Sequence, residues 1–180
     1  MLYTRKGDKG VSGLFGTKER FPKNSPIYEA LGTVDELNSL LGMCRARSNK
    51  VKKVKDGSDI GRALLHVQKC LFVIQAELAG AQKSIVQSNV DDIEKIIERF
   101  ENRIPNLGTF VIPGATELSA LYDYARSVSR RTERMVINAQ PLRIVSPATL
   151  AYLNRLSSFL YILARHVACA DDVIELSPSY

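Results

Sequence analysis

The chain has 180 residues, 45% hydrophobic and 24% charged, which suits one soluble domain that buries a core without staples. Cys44, Cys70 and Cys169 make no CxxC spacing and are odd in number, so they read as reduced core residues rather than a disulfide framework, and no charged leader or long apolar run points to secretion or a membrane span. The formal charge of +6 is unevenly placed: residues 1–25 hold six Lys or Arg against Asp8 and Glu19, so an anionic ligand is expected at that end.

Residues 3–23 have neither helical nor alternating period and carry Gly7, Gly10, Gly13 and Gly16 at intervals of three. This predicts a loop whose backbone bends sharply or approaches a ligand closely. Freed N–H groups can surround an anion there, but Gly16-Thr17-Lys18 is not a Walker sequence and no strand precedes it.

Five helices follow. Ser25-Pro26 predicts an N-cap and first helical residue, with a helix to about Arg47 burying Ile27, Ala30, Leu31, Val34, Leu37, Leu40 and Leu41. The polar, basic stretch 48–58 is a surface loop. A second helix runs from Asp59 to about Gln82 on Ile60, Leu64, Val67, Leu71, Ile74 and Leu78. A third, capped by Asn89, spans Val90 to Arg103 and is stopped by Pro105. The connector 106–116 contains Phe110, Val111 and Ile112, the one short piece that reads as extended. A fourth helix starts near Thr116, and Ser146-Pro147 opens a fifth that lasts to about Asp171. The expected fold is all-α, an antiparallel five-helix bundle in a single domain: residues 1–24 form the basic glycine loop, 25–171 the bundle and 172–180 a short tail.

Two helical faces carry chemistry. In RSVSRRTER, Arg126, Arg130 and Arg134 recur every four residues on one face with Glu133 beside them, while Arg131 points about 140° away from Arg126. Like charges at this spacing each cost a few tenths of a kcal/mol, so the ridge calls for anions, and arginine favours bidentate carboxylate or phosphate recognition. A solvated face with pairs such as Arg130 and Glu133 is the ordinary alternative for a charge run. On the fifth helix, Asn154, Ser158, Tyr161 and Arg165 form a polar row beside the stripe Leu150, Leu153, Leu156, Leu160, Leu163 and Val167, as a ligand wall or wet interface would. His66 and His166 are isolated within helices and make no metal motif, and no serine sits in a nucleophile elbow, so catalysis is expected to rest on positioning and electrostatics.

YTRKGDKGVSGLFG, GTVDELNSLLG, FVIPGATELSAL, RSVSRRTER and NRLSSFLYILAR stand in this order from Leu2 to about Ala168. Together they resemble the PduO-type ATP:corrinoid adenosyltransferases. The resemblance implies a cytoplasmic homotrimer with sites at the subunit interfaces. ATP, Mg²⁺ and cobalamin bind there, and the 5′-deoxyadenosyl group moves to cobalt(I) as triphosphate leaves. By match to the family's motifs, ATP is held by Thr4, Arg5, Lys6, Gly7, Ser12, Gly13 and Lys23, by Arg130, Arg131, Glu133 and Arg134, and by Asn154. Arg130, Glu133, Arg134 and Phe110 are implied as the catalytic set. Asp35 pairs across the interface with Arg126, Phe110 packs against the lower face of the corrin, and Mg²⁺ is held mainly through ATP phosphates, not by histidine or cysteine. A flavoprotein reductase and an adenosylcobalamin-dependent client enzyme are the implied partners.

Three departures stand out: Ser12 replaces a common threonine, Ala115 a frequent second glycine, and the tail after Ala170 is shorter than in some relatives, which argues against a C-terminal segment closing over cobalamin. The rival reading is a non-catalytic carrier of ATP or adenosylcobalamin. A nucleic-acid binder has only the net charge in its favour, since neither a recognition motif nor interleaved aromatics accompany it.

Overall fold

The computed structural model describes residues 3–49, 57–105 and 108–179. Most of the basic loop expected at 48–58 lies outside them. Two three-residue strands, β1 (Val11–Gly13) and β2 (Arg20–Pro22), precede five helices: α1 (Pro26–Ser48), α2 (Gly57–Ala79), α3 (Gln87–Glu101), α4 (Glu117–Ala139) and α5 (Pro147–Ala170).

The helix starts differ in how they are capped. Ser146 Oγ accepts from Thr149 N at 3.1 Å, and Thr116 and Ser119 exchange side-chain to backbone bonds at 2.9 and 3.0 Å, each cap contributing about 1 kcal/mol. Ser25 has the extended backbone of an N-cap and Pro26 the first helical position, yet the Ser25 side chain makes no capping bond. The third helix begins three residues earlier than expected. Asn89 is inside its first turn, where its Oδ1 accepts from Val86 N at 3.1 Å, so it caps by reaching back rather than by standing in front. α2 ends at Gly80, φ +98°, with Ala81 N bonded to Ala76 O at 2.9 Å.

The apolar stripes form the core: every residue of the expected α2 stripe is fully buried, and α5 buries Leu153, Leu156, Leu160, Leu163 and Val167. Cys44 and Cys70 are buried, and burial pushes the Cys44 thiol up to about 12. Cys169 is not a core residue. It lies two positions past Val167, about 200° around the helix from the stripe, and is exposed.

Side-chain bridges fix the helix directions. Ser48 meets Tyr122 while Thr132 bonds Thr33 O, so α1 and α4 run antiparallel, as do α1 and α2 through Gln68 to Asn38 O and Gln75 to Asp35. Asn154 to Glu133 and Arg165 to Asp123 make α4 and α5 antiparallel. The bundle is not antiparallel throughout. Arg155 reaches Glu94, and His166 packs edge-on to Phe100 at 5.1 Å, so α3 lies beside α5 and runs parallel to it. Directions still alternate along the chain, but α3 packs on α5 rather than on its successor α4. The connector after α3 must therefore cross the end of α5 to reach α4, and that crossing builds the site.

Candidate functional site

The crossing leaves an open cleft of about 1030 Å³ between the connector, α4 and α5. Phe110 and Pro113 stand on its connector side, Asp123, Arg126 and Arg130 on α4, and Ser158, Tyr161 and Arg165 on α5. Phe110 is 79% exposed, a large apolar ring displayed rather than buried. Three members of the polar row on α5 therefore line a cavity, as a ligand wall does. Asn154, one turn earlier, instead donates to Glu133 Oε1 at 3.2 Å and accepts from Arg155 at 3.0 Å.

The cleft floor is an ion network. Arg165, only 2% exposed, donates to Asp123 Oδ2, and its Nε lies 2.8 Å from Glu175 Oε1. Its guanidinium stacks over the Tyr161 ring at 4.9 Å. Arg126 Nε stands 4.0 Å from the other oxygen of Asp123. Two guanidiniums and two carboxylates thus balance. Removing Arg165 would strand the buried Asp123 carboxylate, at a cost of about 3–5 kcal/mol. Asp123 and Glu175 were not singled out from sequence, although an arginine inside so apolar a helix requires carboxylates.

The ridge divides as its angles require. Arg126 and Arg130 face the cleft, whereas Arg131 turns to α1 and pairs with Glu36. Among the described residues Arg130 and Arg134 are exposed and make no ion pair, as either an anion-binding ridge or a solvated face would have them. Asp35 is exposed and accepts from Gln75 at 3.3 Å, so within one chain it does not meet Arg126.

The glycine segment contains more structure than a loop. β1 and β2 pair antiparallel, Ser12 opposite Phe21 and Gly13 opposite Arg20, with Gly16 at φ +72° in the turn. Three-residue strands are too short to leave an alternating pattern. Arg20 is spent on architecture, donating to the carbonyls of Lys6 and Val11. Lys23 N bonds Gly10 O at 2.9 Å, and a Cβ on Gly7 would stand 3.0 Å from Lys23 Nζ, so Gly7 and Lys23 come together. Arg5 adopts φ +58°, its guanidinium 5.5 Å from the Tyr3 ring, and Thr4 and Lys6 are exposed beside it.

The hairpin tip rests on the end of α2, where the Phe15 carbonyl lies 3.2 Å from the position of a Cβ on Gly80. The cleft involves Asp123 to Arg130 of α4 and Ser157 to Arg165 of α5, and none of the hairpin-segment residues 3–23 lines it. One chain therefore holds two separate sets: Phe110, Arg126 and Arg130 at the cleft, and Gly7, Ser12, Gly13 and Lys23 at the hairpin. Among the described residues no helix is long and apolar enough to cross a membrane.

The family model described as cobalamin adenosyltransferase matches residues 2–167. A corrinoid adenosyltransferase of Citrobacter freundii is 36% identical over 179 residues, covering 96% of this chain and 97% of that one. A second protein of that organism, corrinoid adenosyltransferase PduO, is 34% identical over 185 residues, and the match covers 97% of this chain but only 52% of the relative's length. Among solved structures, a variant PduO-type ATP:corrinoid adenosyltransferase from Lactobacillus reuteri, complexed with cobalamin and ATP, superposes with a TM-score of 0.89 at 25% identity, covering 99% of this chain and 96% of that one.

Proposed function

The chain belongs to the cobalamin adenosyltransferase family, and from that premise we propose that it moves the 5′-deoxyadenosyl group of ATP to the cobalt of cob(I)alamin and releases triphosphate. The observation that carries this reading is the pairing of an exposed aromatic ring, Phe110, with the unpaired Arg130 on the wall of one large cleft. An apolar ring suits a corrin face, and fixed guanidiniums suit phosphate.

In the reaction the electron pair of cobalt(I) forms the Co–C5′ bond as the C5′–O bond breaks, and the leaving triphosphate takes that bond's electrons. Cobalt(I) is itself a strong nucleophile, so the protein supplies alignment and charge rather than a covalent intermediate. Arg130 and Arg134 meet the charge that develops on triphosphate, with Arg131 available if Glu36 yields it. Glu133, oriented by Asn154, and the hairpin residues Thr4, Arg5, Lys6, Gly7, Ser12, Gly13 and Lys23 hold the nucleotide.

Mg²⁺ would be held mainly through the phosphate oxygens of ATP rather than by histidine or cysteine. When bound it neutralises phosphate charge. Phe110 takes the lower axial position of the corrin and keeps water off cobalt, which makes reduction of cobalt(II) easier.

The separation of hairpin from cleft within one chain supports a homotrimer in which the hairpin of one copy faces the cleft of the next and Asp35 meets the neighbour's Arg126. A cytoplasmic location accords with ATP as substrate. A reductase is needed to supply cobalt(I), and a client enzyme to take the product. The carrier reading is not favoured, since the relatives are named as transferases.

The reading is tested anaerobically, with chemically reduced cobalamin, ATP and Mg²⁺. Adenosylcobalamin and triphosphate should appear in equal amounts. Binding of both substrates without triphosphate release would support the carrier instead.

A further inference from the structure

The stretch after α5 does not trail away from the bundle. Asp172 takes the left-handed conformation, φ +56°, with its N–H on Cys169 O at 3.0 Å and that of Val173 on Ala168 O at 3.1 Å, a helix stop that turns the chain back. Beyond the turn, three contacts fasten the segment. Glu175, its side chain 8% exposed, seats its carboxylate 2.8 Å from Arg165 on the cleft floor. Leu176 O accepts from Ile112 N at 2.8 Å, and the hydroxyls of Ser177 and Thr109 lie 3.0 Å apart. Thr109 and Ile112 flank Phe110, so the connector is gripped on both sides of its exposed ring.

We propose that residues 172–177 are a strap that positions the Phe110 connector, with Glu175 seated on Arg165 as its anchor, and that Glu175 is therefore a positioning residue for the proposed reaction. The anchor works by shape as much as by charge. Arg165 already donates to Asp123, and Glu175 Oε1 lies off its N–H axis without a hydrogen bond. Burial, with Asp123 adding to it against the pull of Arg165, raises the Glu175 carboxyl above its ordinary value. A neutral isostere is thus expected to keep the seat, whereas a cation would face Arg165 with only Asp123 to offset it.

The test compares Glu175→Gln, Glu175→Lys and a chain shortened to end at Val173, each made in the otherwise intact protein. Hydrogen exchange of the free protein reads the strap without reference to activity. Glu175→Lys and the shortened chain should each speed exchange of the Ile112 amide about tenfold or more, while Glu175→Gln stays within about twofold of the parent. The activity arm rests on the proposed function. Glu175→Lys should slow adenosylation starting from cobalt(II) plus reductant about tenfold more than adenosylation of prereduced cobalt(I). An Ile112 amide unaffected by the shortened chain would overturn the strap. Equal loosening by Gln and Lys would overturn Glu175 as its selective anchor. Loosening with an unchanged cobalt(II) to cobalt(I) ratio would overturn its link to Phe110. A parent protein that makes no adenosylcobalamin would refute the transferase reading and leave the exchange result to decide the strap.

Discussion

The hairpin and the cleft are built on opposite physical plans. The cleft is preorganised: Arg165, Asp123 and Glu175 are locked by burial, and Arg126 is held against them, so its cations are placed before any ligand arrives. The hairpin is made of backbone shaped by Gly10 and Gly16 at positive φ, with exposed Lys6 and Lys23 on flexible stems. A preorganised wall suits the groups that must be aligned for bond making, because fixed dipoles and charges need no rearrangement at the moment of reaction. A hairpin of exposed cations suits capture of a polyphosphate whose charge must be surrounded. On the proposed function, the two regions supply different halves of one site for ATP and a corrin.

The largest effect should come from the cleft's unpaired cation. Arg130→Ala is expected to lower kcat/KM for ATP about 100-fold, the scale of losing a charge-assisted contact to a developing anion. Arg47→Ala, which loses only an exposed pair with Glu117, should stay within about twofold. Steady-state kinetics on both variants checks this, and similar losses would break the assignment of cleft and surface. Phe110→Ala comes next. It should slow the cobalt(II) route about tenfold while changing the prereduced reaction little, and equal slowing in the two assays would remove the wedge role.

The hairpin should respond more gently. Gly7→Ala places a Cβ 3.0 Å from Lys23 Nζ, a flexible end that can move aside, so the fold should hold while the ammonium shifts. The KM for ATP is expected to rise about fivefold, roughly 1 kcal/mol, with an unchanged melting temperature. A large fall in melting temperature would show that Gly7 serves the hairpin's folding rather than its ligand.

Much of the bundle was legible in the sequence because burial on a helix writes a 3.6-residue period into it. The stripes of α2 and α5 and the starts of α4 and α5 follow directly. Features that depend on neighbours distant in sequence were not legible. Nothing local in α3 says that it packs parallel to α5, yet that choice forces the connector across the cleft. The three-residue strands leave no period, and Asn89 reads as a cap in front of α3 when it caps from within. In the site, the arginine ridge and its split at Arg131 followed from helix angles alone. Asp123 and Glu175 escaped because a single acid carries no pattern, and only the burial of Arg165 reveals what they balance.

The most direct test of the two-region account uses subunit mixing. A hairpin-defective Lys23→Ala variant and a cleft-defective Arg130→Ala variant are dissociated, mixed in equal amounts and reassembled, with differential tags confirming that mixed oligomers form. If each site joins the hairpin of one copy to the cleft of the next, about a quarter of the sites regain both intact halves, and activity should rise well above that of either variant alone. Mixed oligomers that remain as inactive as their parents would contradict the account and put hairpin and cleft to work within a single chain.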